Sequence, residues 1–262
     1  MVLLRHGRPA DRHRLADQLS TAGRRPAGAA AGLGRTAFPA LFYPHKSDMA
    51  AWLNGWALGF ADAEPDVVRA GTFFPEPSAT DYVAAALEDG VRIFKAHLQV
   101  GGYDPRDRLL QPVWGQLTDA CVPVVVHCGS GPAPGAFTGP GPIGDVLAAH
   151  PRLTLVVAHL GMPEYADFLA LAESYPAVHL DTTMAFTDFT ERIAPFPPAL
   201  RPRLADLADR IVLGSDFPTI PYAYLHQLEA LERLGLGEQW LRAVCWDNGA
   251  RLFGMNARGT PR

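Results

Sequence analysis

The sequence predicts an α/β protein of the (β/α)8 TIM-barrel class whose first strand is stunted or missing. Three observations carry this. Short apolar runs alternate with amphipathic segments from Thr36 onward. Several runs are apolar on consecutive residues, Val124-Val125-Val126 and Leu155-Val156-Val157 most clearly, as in strands buried on both faces. And 262 residues, 48% of them hydrophobic, suffice for one large barrel core. A doubly wound open sheet is the alternative, but no Gly-rich dinucleotide fingerprint follows any run.

In chain order, strands are expected at Ala40–Tyr43, Val67–Phe74, Val91–Lys95, Val122–His127, Leu153–His159, Val178–Asp181 and Ile211–Leu213. Helices are expected between them. Ser47–Phe60 opens on Ser47-Asp48 as a cap, and Thr80–Asp89 is closed by Gly90. Asp104–Cys121, Pro142–His150, Pro163–Tyr175 and Tyr222–Leu234 repeat the theme. Seven such units leave the barrel one strand short. Val2-Leu3-Leu4 is what remains to fill the gap as a stunted strand, or the barrel opens there. Trp52, Trp56, Trp114, Trp240 and Trp246 fall mainly in helical segments and are assigned to packing against the barrel.

Residues 1–35 form a segment apart from the barrel domain at 36–262. They hold seven Arg, no Lys, two Asp and no aromatic residue. With 21 Arg against 2 Lys in the whole chain, this composition leads to the expectation that the natural N-terminus is altered or lost. The segment lacks the large-residue apolar stretch of a signal peptide. No apolar run approaches the ~18 residues of a membrane span. A net charge of −4 gives no reason to expect nucleic acid. Cys121, Cys128 and Cys245 lack metal-knuckle spacing and read as reduced, buried thiols of a cytoplasmic protein. The partner expected is a small-molecule substrate, with a homodimer as one option on the outer helices.

Barrel enzymes carry their working residues at the C-terminal strand ends. His127 ends one run, His159 another, and Asp216 follows Val212-Leu213-Gly214-Ser215. Two imidazoles and a carboxylate at the same register suit a divalent ion, Zn2+ or a related metal such as Mn2+. Lys95 is one of two lysines and stands at a strand end. It is read as a carboxylate contact, with a Schiff-base nucleophile as the alternative. His97 shares its side of the strand and is either a pocket or a loop histidine. Tyr43, with His45, and Phe186 are candidate pocket walls. Asp181 is a candidate to orient a histidine. Glu76 is read as a solvated loop carboxylate. Gly129–Gly141 is a Gly/Pro-rich rim or a plain surface loop.

Four segments carry a family resemblance: Val126-His127-Cys128-Gly129, Ala158-His159-Leu160-Gly161-Met162-Pro163, Gly214-Ser215-Asp216-Phe217-Pro218, and Asp247-Asn248-Gly249-Ala250-Arg251-Leu252-Phe253-Gly254. In order and spacing the chain from Ala40 to Gly254 resembles the amidohydrolase superfamily. The likeness is to the amidohydrolase-related branch, which also holds decarboxylases such as aminocarboxymuconate semialdehyde decarboxylase. The resemblance implies that His127 is a metal ligand, that His159 is a ligand or orients substrate, and that Asp216 binds the metal or takes a proton from its water. The family's opening His-x-His is not matched here. Leu4-Arg5-His6 retains only its second histidine, so His6 is the fourth candidate ligand. The expected activity is metal-dependent hydrolysis of a small carboxylate-bearing amide, ester or lactone. The rivals are non-oxidative decarboxylation, a barrel that has lost its metal site and only binds, and a Schiff-base aldolase on Lys95.

Overall fold

The computed structural model describes residues 3–4 and 35–255. Nine strands are laid down in order: β1 (Leu3–Leu4), β2 (Arg35–Pro39), β3 (Val67–Val68), β4 (Ala70–Thr72), β5 (Ile93–His97), β6 (Val124–His127), β7 (Leu155–Val157), β8 (Val178–Asp181) and β9 (Ile211–Val212). From β4 to β9 each strand pairs in parallel with the next, giving six strands in sequence order. β2 pairs in parallel with β3, which Arg69 alone separates from β4. Helices α1 (Ala50–Ala63), α2 (Ala79–Glu88), α4 (Gln111–Asp119), α5 (Pro140–Ala149), α6 (Tyr165–Ser174) and α8 (Tyr224–Glu232) fill the crossovers, with the short α3 (Leu98–Gly101) and α7 (Arg201–Asp206) between them. This is the expected α/β barrel, and it is not closed: no ladder joins β9 to β1 among the described residues. Of these helices none is long and apolar enough to cross a membrane.

The consecutive apolar runs bury opposite faces in two separate cores. Ile93, Val125, Val156 and Val212 point into the barrel with Ala37, Val68 and Ala70. Phe94, Val124, Val126, Leu155, Val157, Leu180 and Ile211 point outward, under Trp114, Ile143, Leu147 and Phe168 of the helices. By the same alternation Lys95, His97, His127, His179 and Asp181 face inward.

Three expectations need correction. The second strand is Arg35–Pro39, not Ala40–Tyr43: Pro39 has no N–H to carry the ladder onward. Leu41-Phe42-Tyr43 is apolar for another reason. Leu41 packs on the inner core, Phe42 meets Trp56 edge to face, and Tyr43 covers His97. Leu3–Leu4 does pair with β2, but antiparallel, where a barrel's first strand runs parallel. Nor do all five tryptophans pack on the barrel. Trp114 and Trp240 are buried, their Nε1–H groups donating to the carbonyls of Pro105 and Leu204. Trp52 and Trp56 lie one turn apart on the outer stripe of α1, 65% and 47% exposed.

Among the thiols only Cys128 is buried; Cys121 is exposed. Glu76 is buried rather than solvated, because its Oε2 accepts the amide N–H of Asp48, whose φ of 65° turns the chain into α1.

Candidate active site

β5 and β6 are in register so that Lys95 lies beside Val125 and His97 beside His127. Neighbours in a parallel pair share a face, and the two imidazoles stack at 4.0 Å with 8° between their planes. The row continues both ways. Tyr43 leans on His97 at 4.5 Å and His45 on Tyr43 at 5.7 Å. His127 meets His159 edge to face at 5.0 Å, and His159 Nε2 stands 3.7 Å from Asp216 Oδ2. The site is therefore a band of rings across the C-terminal mouth, ending at a carboxylate.

His97 and His159 are each fixed by the backbone. His97 Nδ1 accepts the N–H of Val100 at the start of α3, so the neutral ring carries its hydrogen on Nε2. His159 has a left-handed backbone, φ 55°, as the chain leaves β7. Its N–H donates to Asp181 Oδ1 at 2.9 Å, and its Nδ1 lies 3.0 Å from the carbonyl of Thr183. His127 Nδ1 is buried with no hydrogen-bond partner among the described residues.

Burial, with the Lys95 ammonium next and His159 and His45 after it, depresses His97 to about 3. Burial, followed by His159, His97 and Lys95, depresses His127 to about 2. Both rings are neutral in ordinary buffers. Asp181 moves the opposite way to its burial: desolvation alone would raise it, but His159, Lys95 and the His159 N–H hold it below the usual carboxylate range. Burial and the Asp216 charge raise the Tyr43 phenol. Lys95 itself is buried, and no carboxylate among the described residues lies within ion-pair distance of it.

A divalent ion fits this arrangement poorly. Imidazole lone pairs lie in the ring plane, so the parallel rings of His97 and His127 aim alongside each other instead of converging. His159 Nδ1 is already taken by Thr183. Among the described residues no three His, Cys, Asp or Glu side chains are placed to hold an ion together. His6, the remaining candidate, lies outside the described residues.

The structure thus brings Tyr43, Lys95, His97, His127, His159 and Asp216 to one mouth. Phe186 goes elsewhere. At φ 66° its ring turns onto Phe196, centroids 5.0 Å apart, and lines a separate cavity of about 280 Å3 with Asp188, Arg201 and Arg233. Sequence reasoning missed Thr183 and Gly214. A Cβ on Gly214 would fall 1.9 Å from Thr183 Oγ1. The signal available was Gly214 itself, directly after a strand and two residues before Asp216. The 129–141 loop is tied down as a rim: Ser130 N–H donates to Glu164 and Gly139 N–H to the Cys128 carbonyl.

Comparison with known proteins agrees with this architecture. A family model described as amidohydrolase matches residues 5–255. The structure is similar to a TIM-barrel protein of uncharacterised function from Bordetella bronchiseptica, at TM-score 0.70 and 22% identity over 94% of this chain and 90% of that one. It is similar to a 2-pyrone-4,6-dicarboxylic acid hydrolase candidate from Pseudomonas putida, at TM-score 0.62 and 18% identity over 92% and 93%. It also resembles 5-carboxyvanillate decarboxylase from Sphingomonas paucimobilis, at TM-score 0.55 and 14% identity over 79% and 72%. At these identities the likeness speaks for the fold. A search of curated proteins finds no match.

Proposed function

This chain belongs to the amidohydrolase family, and from that premise we propose that it is a hydrolase of small carboxylate-bearing esters, lactones or amides. One observation carries the substrate class. Lys95 is buried on the inner face of β5 with no ion-pair partner among the described residues, beside imidazoles that burial keeps neutral. A buried ammonium without a counter-charge is costly unless a ligand supplies one. A substrate carboxylate is the ligand of matching charge that a hydrolase mouth would admit.

The remaining roles follow from position. Asp216, with His159 Nε2 beside it, takes the proton of the attacking water and returns it to the leaving oxygen or nitrogen. His97, with its hydrogen on Nε2, is a neutral donor within the mouth. Tyr43 forms a wall. The family is generally metal-dependent, and Zn2+, or Mn2+ in its place, is the ion that imidazole and carboxylate donors suit. Since His127, His159 and Asp216 do not converge as a ligand set here, no step is assigned to it.

The test is a pair of 4-nitrophenyl esters, one ending in a free carboxylate and the other in its methyl ester. The Lys95→Gln variant is expected to raise KM for the acid about tenfold or more, the cost of losing one charge-assisted contact, and to leave the neutral ester's KM within about twofold. Equal loss on both esters would remove Lys95 from substrate binding. Release of CO2 from an unsaturated acid, with no ester or lactone turned over, would replace hydrolysis with decarboxylation.

A further inference from the structure

We infer that Asp181, Thr183 and Gly214 form a positioning unit that holds His159 as its Nδ1–H tautomer, with a bare Nε2 turned toward Asp216. The catalytic consequence rests on the hydrolase reading above; the geometry does not.

His159 and Leu160 both adopt left-handed backbone, φ 55° and 53°, at the end of β7. Each such non-glycine residue costs about 1–2 kcal/mol, so the turn persists only where its surroundings hold it. Asp181 supplies the hold. Its side chain is 3% exposed, and Oδ1 accepts two backbone N–H groups, those of His159 and Thr183, each at 2.9 Å. The carboxylate therefore spans the ends of β7 and β8 through main-chain atoms alone.

Thr183 completes the link. Its carbonyl lies 3.0 Å from His159 Nδ1. A carbonyl accepts and cannot donate, so Nδ1 must carry the hydrogen, and the neutral ring then has an unprotonated Nε2. That nitrogen faces Asp216 Oδ2 at 3.7 Å. A lone pair opposite a carboxylate makes no hydrogen bond. A proton delivered between them makes one, which is what a base acting on water requires.

Gly214 provides the room. Its Cβ would lie 1.9 Å from Thr183 Oγ1 and 2.9 Å from Asp181 Oδ1, so only a hydrogen fits where β9 ends. The Gly214 N–H donates to Thr182 Oγ1 at 3.3 Å, which ties that strand end to the same loop. Gly214 is thus required by the close approach of Asp181 and Thr183 to its α-carbon, and through them it sets the ring of His159.

The experiment is 15N NMR of the imidazoles in the full chain at pH 7.5, with His159 assigned by loss of its signals in His159→Gln. Wild type is expected to show a pyrrole-type Nδ1 and a pyridine-type Nε2 for His159. Gly214→Ala is expected to lose that single-tautomer signature and to lower kcat on the carboxylate ester by about 100-fold, the effect of displacing a positioned group by an ångström, with KM within about twofold. Adding Thr183→Ala removes the clashing Oγ1 but keeps the carbonyl, and should restore the signature and most of kcat. A merely structural glycine would not give this rescue. A wild-type His159 with its hydrogen on Nε2 would overturn the inference whether or not the variants fold, as would a Gly214→Ala spectrum unchanged from wild type. The expected tautomer in a protein that hydrolyses no ester would sink the hydrolase reading and leave the positioning unit standing.

Discussion

Acid should destabilise this barrel well before its carboxylates titrate, and the size of the effect follows from three buried histidines. His97 and His127 at the mouth are held to about 3 and about 2. His179, inward-facing on β8 with an unpartnered Nδ1, is held to about 4 by burial, then Arg210 and Arg251. An unfolded chain protonates each near its ordinary 6.5, so between pH 6.5 and about 4 the unfolded state binds more protons than the folded one. Stability then rises with pH, or equivalently falls as pH drops through this window. At pH 5 the difference is about 2 kcal/mol per histidine, or about 6 kcal/mol for three, set by the unfolded value alone since all three folded rings are still neutral. A domain stability is typically about 5–15 kcal/mol, so the loss is large. Urea denaturation followed by circular dichroism at pH 8, 6 and 5 measures it. The His179→Leu variant should lose about a third of the pH dependence. A stability that changes by less than about 1 kcal/mol between pH 8 and 5, against the 6 derived from linkage, would refute the reasoning; so would a His179→Leu chain with the wild-type slope.

Three further outcomes are expected. Asp216→Asn should lower ester hydrolysis by about 100-fold or more, the usual worth of a positioned acid–base group, with an unchanged circular dichroism spectrum; turnover within threefold of wild type would take the proton-transfer role from this carboxylate. Elemental analysis of protein purified without added metal should give well under one ion per chain, because no three donors converge among the described residues. One ion per chain that His127→Ala loses would show a ligand set this geometry does not contain. Glu76→Ala strands the Asp48 N–H at the entry to α1 and should cost about 1–3 kcal/mol, read as a lower urea midpoint; no change would mean that the loop finds another acceptor.

The strands were legible because burial on both faces leaves no polar residue to break a run. Val124 to Val126 and Leu155 to Val157 alternate between two cores, and their hydrophobicity records both. The same signal misled at Ala40–Tyr43. There Leu41, Phe42 and Tyr43 are apolar because an irregular segment folds over the inner core and the mouth. Hydrophobicity reports burial, not the hydrogen-bond ladder, and Pro39 was the better guide to where the ladder stops. Trp52 and Trp56 show the converse: aromatic residues in a helix need not lie on its buried stripe.

The site divides along a similar line. His127, His159 and Asp216 could be found in the sequence because their side chains project from strand ends, and a strand end is visible as the close of an apolar run. Asp181 and Thr183 act on His159 through main-chain N–H and C=O groups, which every residue possesses and no residue type announces. Gly214 acts by what it lacks. Phe186 was placed in the substrate pocket because it follows a strand, yet a left-handed backbone sends its ring to Phe196 and away from the mouth. Left-handed backbone recurs at His159, Leu160, Met184, Phe186 and Asp216, in the segments that leave β7, β8 and β9. Non-glycine residues pay for such conformations, so nothing in their identities advertises them. What decides whether this barrel end is a working site is the direction in which a few strained residues aim, and the Nε2 of His159 is where that direction can be measured.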